Sequence, residues 1–132
     1  MTSIQPELWV DNPREAVDFY KAAFGARPMH IAGAGDDIVA QLAVGDCAFW
    51  VAASSTAMKR LSPRSIDGTT SRTLLVVDEP ETLLRQAVAA GATETSPVAR
   101  EHGWLVGRIV DPFGHEWEIG VPLGPWPPGE AS

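Results

Sequence analysis

Apolar positions along the chain change period several times, and each change marks a boundary. Ile4–Val10 is a short strand candidate. Beyond it Ala16, Phe19, Tyr20, Ala23 and Phe24 recur at helical spacing and form one apolar stripe, which predicts a helix ending near Phe24. Alternation then takes over, predicting strands at about Arg27–Ile31, Ile38–Val44 and Cys47–Ala52. Gly33–Asp37 and Gly45-Asp46 supply the turns between them. The same succession returns later. A strand is predicted at Arg72–Val77, and a helix with Leu83, Leu84, Ala87 and Val88 on one side ends near Ala90. Strands follow at about Thr93–Arg100, Trp104–Val110 and Glu116–Val121, the last after the tight turn Asp111-Pro112-Phe113-Gly114-His115.

The recurrence is an internal repeat. Leu8-Trp9-Val10-Asp11-Asn12-Pro13 corresponds to Leu75-Val76-Val77-Asp78-Glu79-Pro80, so both Asp-x-Pro sequences are helix starts, with Pro tolerated in the first turn. Gly25 and Gly91 each follow a helix, the place of a left-handed cap. The chain thus reads as a βαβββ unit at 4–52, a linker at 53–71 rich in Ser and Thr, a second βαβββ unit at 72–121, and a tail at 122–132 rich in Pro and Gly around Trp126. The tail is expected to be an irregular arm that docks, on a partner subunit or elsewhere.

Composition narrows the function classes. A chain of 132 residues makes about one domain. Its net charge of −7 argues against a nucleic-acid or anionic-membrane surface. A single Cys47 excludes an internal disulfide framework and a multi-cysteine zinc site. With no His partner identified, Cys47 is expected to be a buried, unreactive thiol. No apolar run approaches a membrane span and no signal peptide is evident, so a cytoplasmic location is expected.

The twice-repeated unit, Asp11-x-Pro13 with Phe19-Tyr20-x-x-x-Phe24-Gly25-Ala26, and Gly107-Arg108-Ile109-Val110-Asp111-Pro112-Phe113-Gly114-His115-x-Trp117-Glu118 together resemble the vicinal oxygen chelate superfamily. That superfamily contains glyoxalase I, extradiol dioxygenases, fosfomycin resistance enzymes and bleomycin-binding resistance proteins. Ser62-Pro63-x-Ser65-Ile66-x-Gly68-Thr69 is similar to the linker of its PhnB-like branch. The resemblance implies an α+β fold: two modules whose curved mixed sheet carries helices on its convex face and a cavity on its concave face. It also implies a homodimer.

Strand alternation on that fold sends Leu8 and Val10 under the helix and turns Gln5, Glu7 and Trp9 to the cavity. Arg72, Leu74 and Val76 face inward from the fifth strand, and Glu118 from the eighth. Repeat registration puts Val51 opposite Glu118 in role, with Phe49 on the same face and with Trp50 and Trp117 under the helices. The metal-dependent members' four ligand positions, carried over, become Gln5, Val51, Arg72 and Glu118. Gln5 and Glu118 are acceptable ligands, but valine has no donor and arginine repels a cation. His30, His102 and His115 do not repair the set; His115, in the last turn, is expected to make a structural hydrogen bond. The expected substitute is an Arg72–Glu118 ion pair.

Three functions follow. The first is metal-free binding of a small aromatic or apolar molecule by Gln5, Trp9, Phe49, Arg72, Trp104 and Glu118. The second is a divalent-metal enzyme, a lyase, isomerase or transferase, using Gln5 and Glu118. The third is a metal-free enzyme with Glu7 as general base, its carboxylate enclosed by Trp9, Phe49 and Leu74.

Overall fold

Asn12 is the cap that starts the first helix. Its side chain accepts from the Glu15 amide at 3.2 Å, Pro13 takes the first helical position, and α1 runs Pro13–Phe24 to a left-handed Gly25. The computed structural model describes residues 1–127. Before α1 lies β1 (Glu7–Val10), shorter than the strand expected from Ile4. After it come β2 (Arg27–Ala34), β3 (Asp37–Val44) and β4 (Cys47–Ala53). The second unit repeats the order with β5 (Arg72–Val76), α3 (Pro80–Ala90), β6 (Thr93–Glu101), β7 (Trp104–Val110) and β8 (Glu116–Pro122). Each unit is a four-stranded mixed sheet, ordered β1-β4-β3-β2 and β5-β8-β7-β6. In each, the first strand is an edge, paired in parallel with the fourth. No described helix is long and apolar enough to cross a membrane.

The linker is more ordered than its composition predicts. Ser62 caps a short helix, α2 (Pro63–Ile66), by accepting from the Ser65 amide at 3.3 Å, with Pro63 at its first position. Arg64 of α2 donates to the Pro112 carbonyl, and Pro63 sits against Gly114, where a Cβ would approach it to 2.8 Å. With φ at +91°, Gly114 suits that position on both counts. The Ser62 hydroxyl, ahead of Ser54 and the Arg64 guanidinium, holds the Asp11 carboxyl below its usual value against the opposing effect of burial. The linker is thereby fastened to the start of the first unit and the last turn of the second.

Both units share one core. Tyr20 is fully buried and its ring meets Phe24, Phe49, Phe113 and Trp117 at centroid distances of 5.8, 5.2, 6.2 and 5.6 Å. Burying each such ring contributes about 2 kcal/mol relative to exposure. α1 and α3 pack together, and Gln86 of α3 donates to the Ala22 and Ala23 carbonyls of α1 at 3.1 Å each. At the centre lies the buried Asp111 carboxylate. Its Oδ2 accepts from the Tyr20 hydroxyl and, at 3.0 Å, from Trp117 Nε1. Its Oδ1 accepts from the amides of Phe113 and His115 at 2.9 and 3.0 Å.

One registration from the sequence is wrong by a residue. Leu8 pairs with Val51 and Leu75 with Ile119, so Phe49 is the repeat mate of Trp117, and Trp50 that of Glu118. Phe49 and Val51 are therefore buried under α1, and Trp50 faces outward. Three residues, 112–114, turn the chain between Asp111 and His115, whose backbones bond at 2.9 Å, where two, Gly45-Asp46, do so between Val44 and Cys47, and the extra residue shifts the register. Cys47 is exposed at the start of β4, not buried.

Two outcomes follow from the Asp111 cluster. Asp111→Asn sets an amide N–H against the Trp117 N–H, which can only donate, and is expected to cost about 3 kcal/mol, read as a lower urea midpoint at unchanged slope. Burial, and after it the Asp111 charge, push the Tyr20 phenol well above its ordinary value. The folded state then holds this proton more tightly than the unfolded state. Stability from this group is complete below about pH 10 and is lost as pH rises above it. Tyr20 is the sole tyrosine, so ultraviolet difference absorbance should show phenolate only as the protein unfolds; titration near pH 10 in the folded protein would contradict the burial.

Candidate functional site

The outer face of the second sheet carries the densest polar group. Trp117 points inward to Asp111, so alternation turns its neighbour Glu118 outward. Glu118 lies between Arg108 on β7 and Leu74 on β5, its register partners. Arg108 Nε donates to Glu118 Oε2 at 3.0 Å. The same guanidinium grips Glu101 at the end of β6 through two bonds of 2.9 and 3.0 Å. Arg72 Nη2 approaches Glu118 Oε2 at 3.4 Å, giving the ion pair expected from the sequence. The chain of charges is Glu101–Arg108–Glu118–Arg72.

Arg108 is its keystone, and the sequence reading assigned it no role. The signal was its register two residues before Val110, which puts it on the same face as Glu118. The hydrogen bond from Arg108, ahead of its charge, holds the Glu101 carboxyl below its usual value, and Glu101 in turn raises Arg108. Leu74, His102, Trp104 and Val106 join Glu101, Arg108 and Glu118 around a pocket of about 200 Å³. Trp104 forms its rim and meets Trp126 edge to face at 5.2 Å. The Leu123 amide also bonds Gly103, so residues 123–126 of the tail dock on their own chain. Residues 128–132 lie outside the described part.

The remaining predicted residues do not join this pocket. Gln5 lies on the outer face of the first sheet, where its Oε1 accepts from Trp50 Nε1 at 2.8 Å and Gln41 Nε2 at 3.0 Å. Glu7 is exposed, and with Phe49 in the core the apolar enclosure expected around it is missing. Glu7 and Trp9 border a cleft of about 170 Å³ beneath the linker, together with His115. The His115 ring bonds the Trp9 carbonyl at 2.9 Å, the structural role expected of it. His30, on β2, opposes Gln41 of β3 and is exposed; His102 occupies the exposed turn between β6 and β7. A larger cleft of about 550 Å³ lies between the modules. Ile4, Pro6 and Cys47 line it from one side, Thr73 to Val77 from the other, and Phe49 and Trp117 also border it.

The charge chain predicts unequal costs. Arg108→Ala strips Glu101 and Glu118 of their main partner and is expected to lower the urea midpoint more than loss of Arg72 does. Arg72 has 44% of its side chain exposed, and Arg72→Ala should cost less than about 1 kcal/mol. Urea unfolding of both variants measures the difference, and equal costs would contradict the hierarchy.

Comparison with known proteins agrees with this architecture. An uncharacterized protein of Mycobacterium tuberculosis is 29% identical over 127 residues, spanning 92% of this chain and 75% of its own length. A Mycobacterium bovis protein has the same identity over 84% of its length. TioX from a Micromonospora species superposes with a TM-score of 0.74 at 24% identity, over 93% of this chain and 100% of its own. FosX from Listeria monocytogenes, a fosfomycin resistance protein solved with Mn(II) and a dihydroxypropylphosphonic acid, gives 0.71 at 13% identity, over 96% and 93%. These structural likenesses show the fold. A family model described as a glyoxalase-like domain matches residues 7–120, and with that match the chain belongs to the glyoxalase-like family.

Proposed function

We propose that this chain is a metal-free small-molecule-binding protein of the glyoxalase and bleomycin-resistance type, related to its PhnB-like branch. Its ligand is aromatic or apolar and lies against the outer face of the second sheet. The observation that carries the reading is the state of Glu118, whose Oε2 is held by two guanidiniums. A divalent ion at that oxygen would face two fixed positive charges. At the other ligand positions of the fold stand Arg72, the indole of Trp50 and Gln5, whose Oε1 already accepts two hydrogen bonds. Among the described residues no group of three or more His, Cys, Asp or Glu is placed to hold a metal ion. This donor set does not fit a divalent cation.

The surroundings suit binding. Leu74 and Val106 give the pocket an apolar base, Trp104 an aromatic rim, and the charge chain a polar border that fixes orientation. A homodimer forms part of the same reading. Leu74 and Val76 on β5 are 43% and 54% exposed, and β1 and β5 are open sheet edges. A second copy laid over them covers apolar surface and closes the site.

Titration with 2-naphthamide, a neutral planar probe, should quench tryptophan emission saturably, and Trp104→Phe should remove most of that change. Emission unaltered by the probe in the wild-type protein would overturn the reading. Sedimentation equilibrium should give twice the chain mass of 14.1 kDa; a monomer at all concentrations would remove the dimer from it.

A further inference from the structure

We propose that the ligand is an organic anion, an aromatic carboxylate, and that Arg72 is the residue that receives its charged end. The proposal rests on the binding reading above and names the class of molecule bound there.

The two guanidiniums of the charge chain are not equivalent. Arg108 is committed: three of its nitrogens bond Glu101 and Glu118 at 2.9 to 3.0 Å, and only 23% of its side chain is exposed. Removing it to serve a ligand would strand two carboxylates. Arg72 makes one contact, at 3.4 Å, to an oxygen that Arg108 already holds more closely. It is also 44% exposed. If Arg72 turns from Glu118 to a ligand, Glu118 keeps Arg108 and no charge is orphaned. Arg72 therefore exchanges partners at little cost, and it has an unused planar fork of donors for the exchange.

That fork selects the chemistry. A carboxylate matches two parallel N–H groups of a guanidinium, and a charge-assisted pair of this kind is roughly twice as strong as a neutral bond. The apolar part of the ligand is set by what lies beside it. Leu74 follows Arg72 on the same outer face of β5 and lines the pocket with Glu118, Val106 and Trp104; Arg72 lies next to that lining, 3.4 Å from Glu118. A planar ring in that pocket lies against Leu74 and Val106 with the Trp104 indole at its far side, and its carboxylate points to Arg72. The chain's net charge of −7 repels an anion at long range. Selection is therefore local to the guanidinium, within a screening length of about 8 Å at physiological salt.

The test compares three probes of one shape by calorimetry on the full chain: 2-naphthoate, 2-naphthamide and 2-naphthylmethylamine. The expected result is that 2-naphthoate binds at least about tenfold more tightly than the amide, the value of one charge-assisted bond. Arg72→Gln should erase that preference, so that acid and amide bind the variant equally, and Arg72→Lys should restore part of it. Because Glu118 retains Arg108, the Arg72→Gln protein is expected to fold, and its urea midpoint checks this. Equal affinity for acid and amide, tighter binding of the amine, or a preference that survives Arg72→Gln would each overturn the proposal while the binding reading stands. Failure of all three probes to bind would remove both.

Discussion

A carboxylate taken out of water must be surrounded by donors, and Asp111 meets that demand by drawing on both halves of the molecule. Its donors are the Tyr20 hydroxyl from α1, the Trp117 indole from β8 and two amides of its own turn. Satisfying this one buried charge fixes the turn Asp111–His115, joins α1 to the second sheet, and holds the Trp117 ring inward. Strand alternation does the rest. With Trp117 inward, Glu118 faces outward, level with Arg108 on the neighbouring strand. The position of the face that carries Glu118 is thus a geometric consequence of how the core satisfies Asp111.

What stands on that face decides the chemistry. In the proposed reading, two guanidinium charges stand where a metal ion would sit, and they bind the carboxylate that would serve as its ligand. Arg108 makes the arrangement rigid through Glu101 and Glu118, and Arg72 leaves it open to exchange. A polar floor neutral in sum, bordered by leucine, valine and tryptophan, favours recognition of a shaped molecule. Glu7 remains in solvent on the other module.

Much of this was legible in the sequence. The repeat, both helices, their glycine ends and the faces of β1, β5 and β8 follow from periodicity, because each is a local rule obeyed over several residues. The Arg72–Glu118 pair followed from the same alternation. Phe49, Trp50 and Val51 were misread because two tryptophans 67 residues apart looked like repeat mates, whereas equivalent turns of two and three residues put the strands one residue out of step. A slip of one residue reverses every face on a strand. The helix α2 was overlooked although Ser62-Pro63 is a helix start, since four residues are too few for any period to emerge. Arg108 was passed over because its importance lies in Glu101, seven residues away and on another strand.

The central claim is that arginines hold Glu118 in place of a metal ion. Its most direct test is calorimetric titration of the chelator-stripped protein with Mn(II), Ni(II), Zn(II) and Fe(II), repeated on Glu118→Ala. The account predicts no stoichiometric binding of any of the four ions to the wild-type protein. Tight binding of one ion per chain, lost in Glu118→Ala, would contradict it.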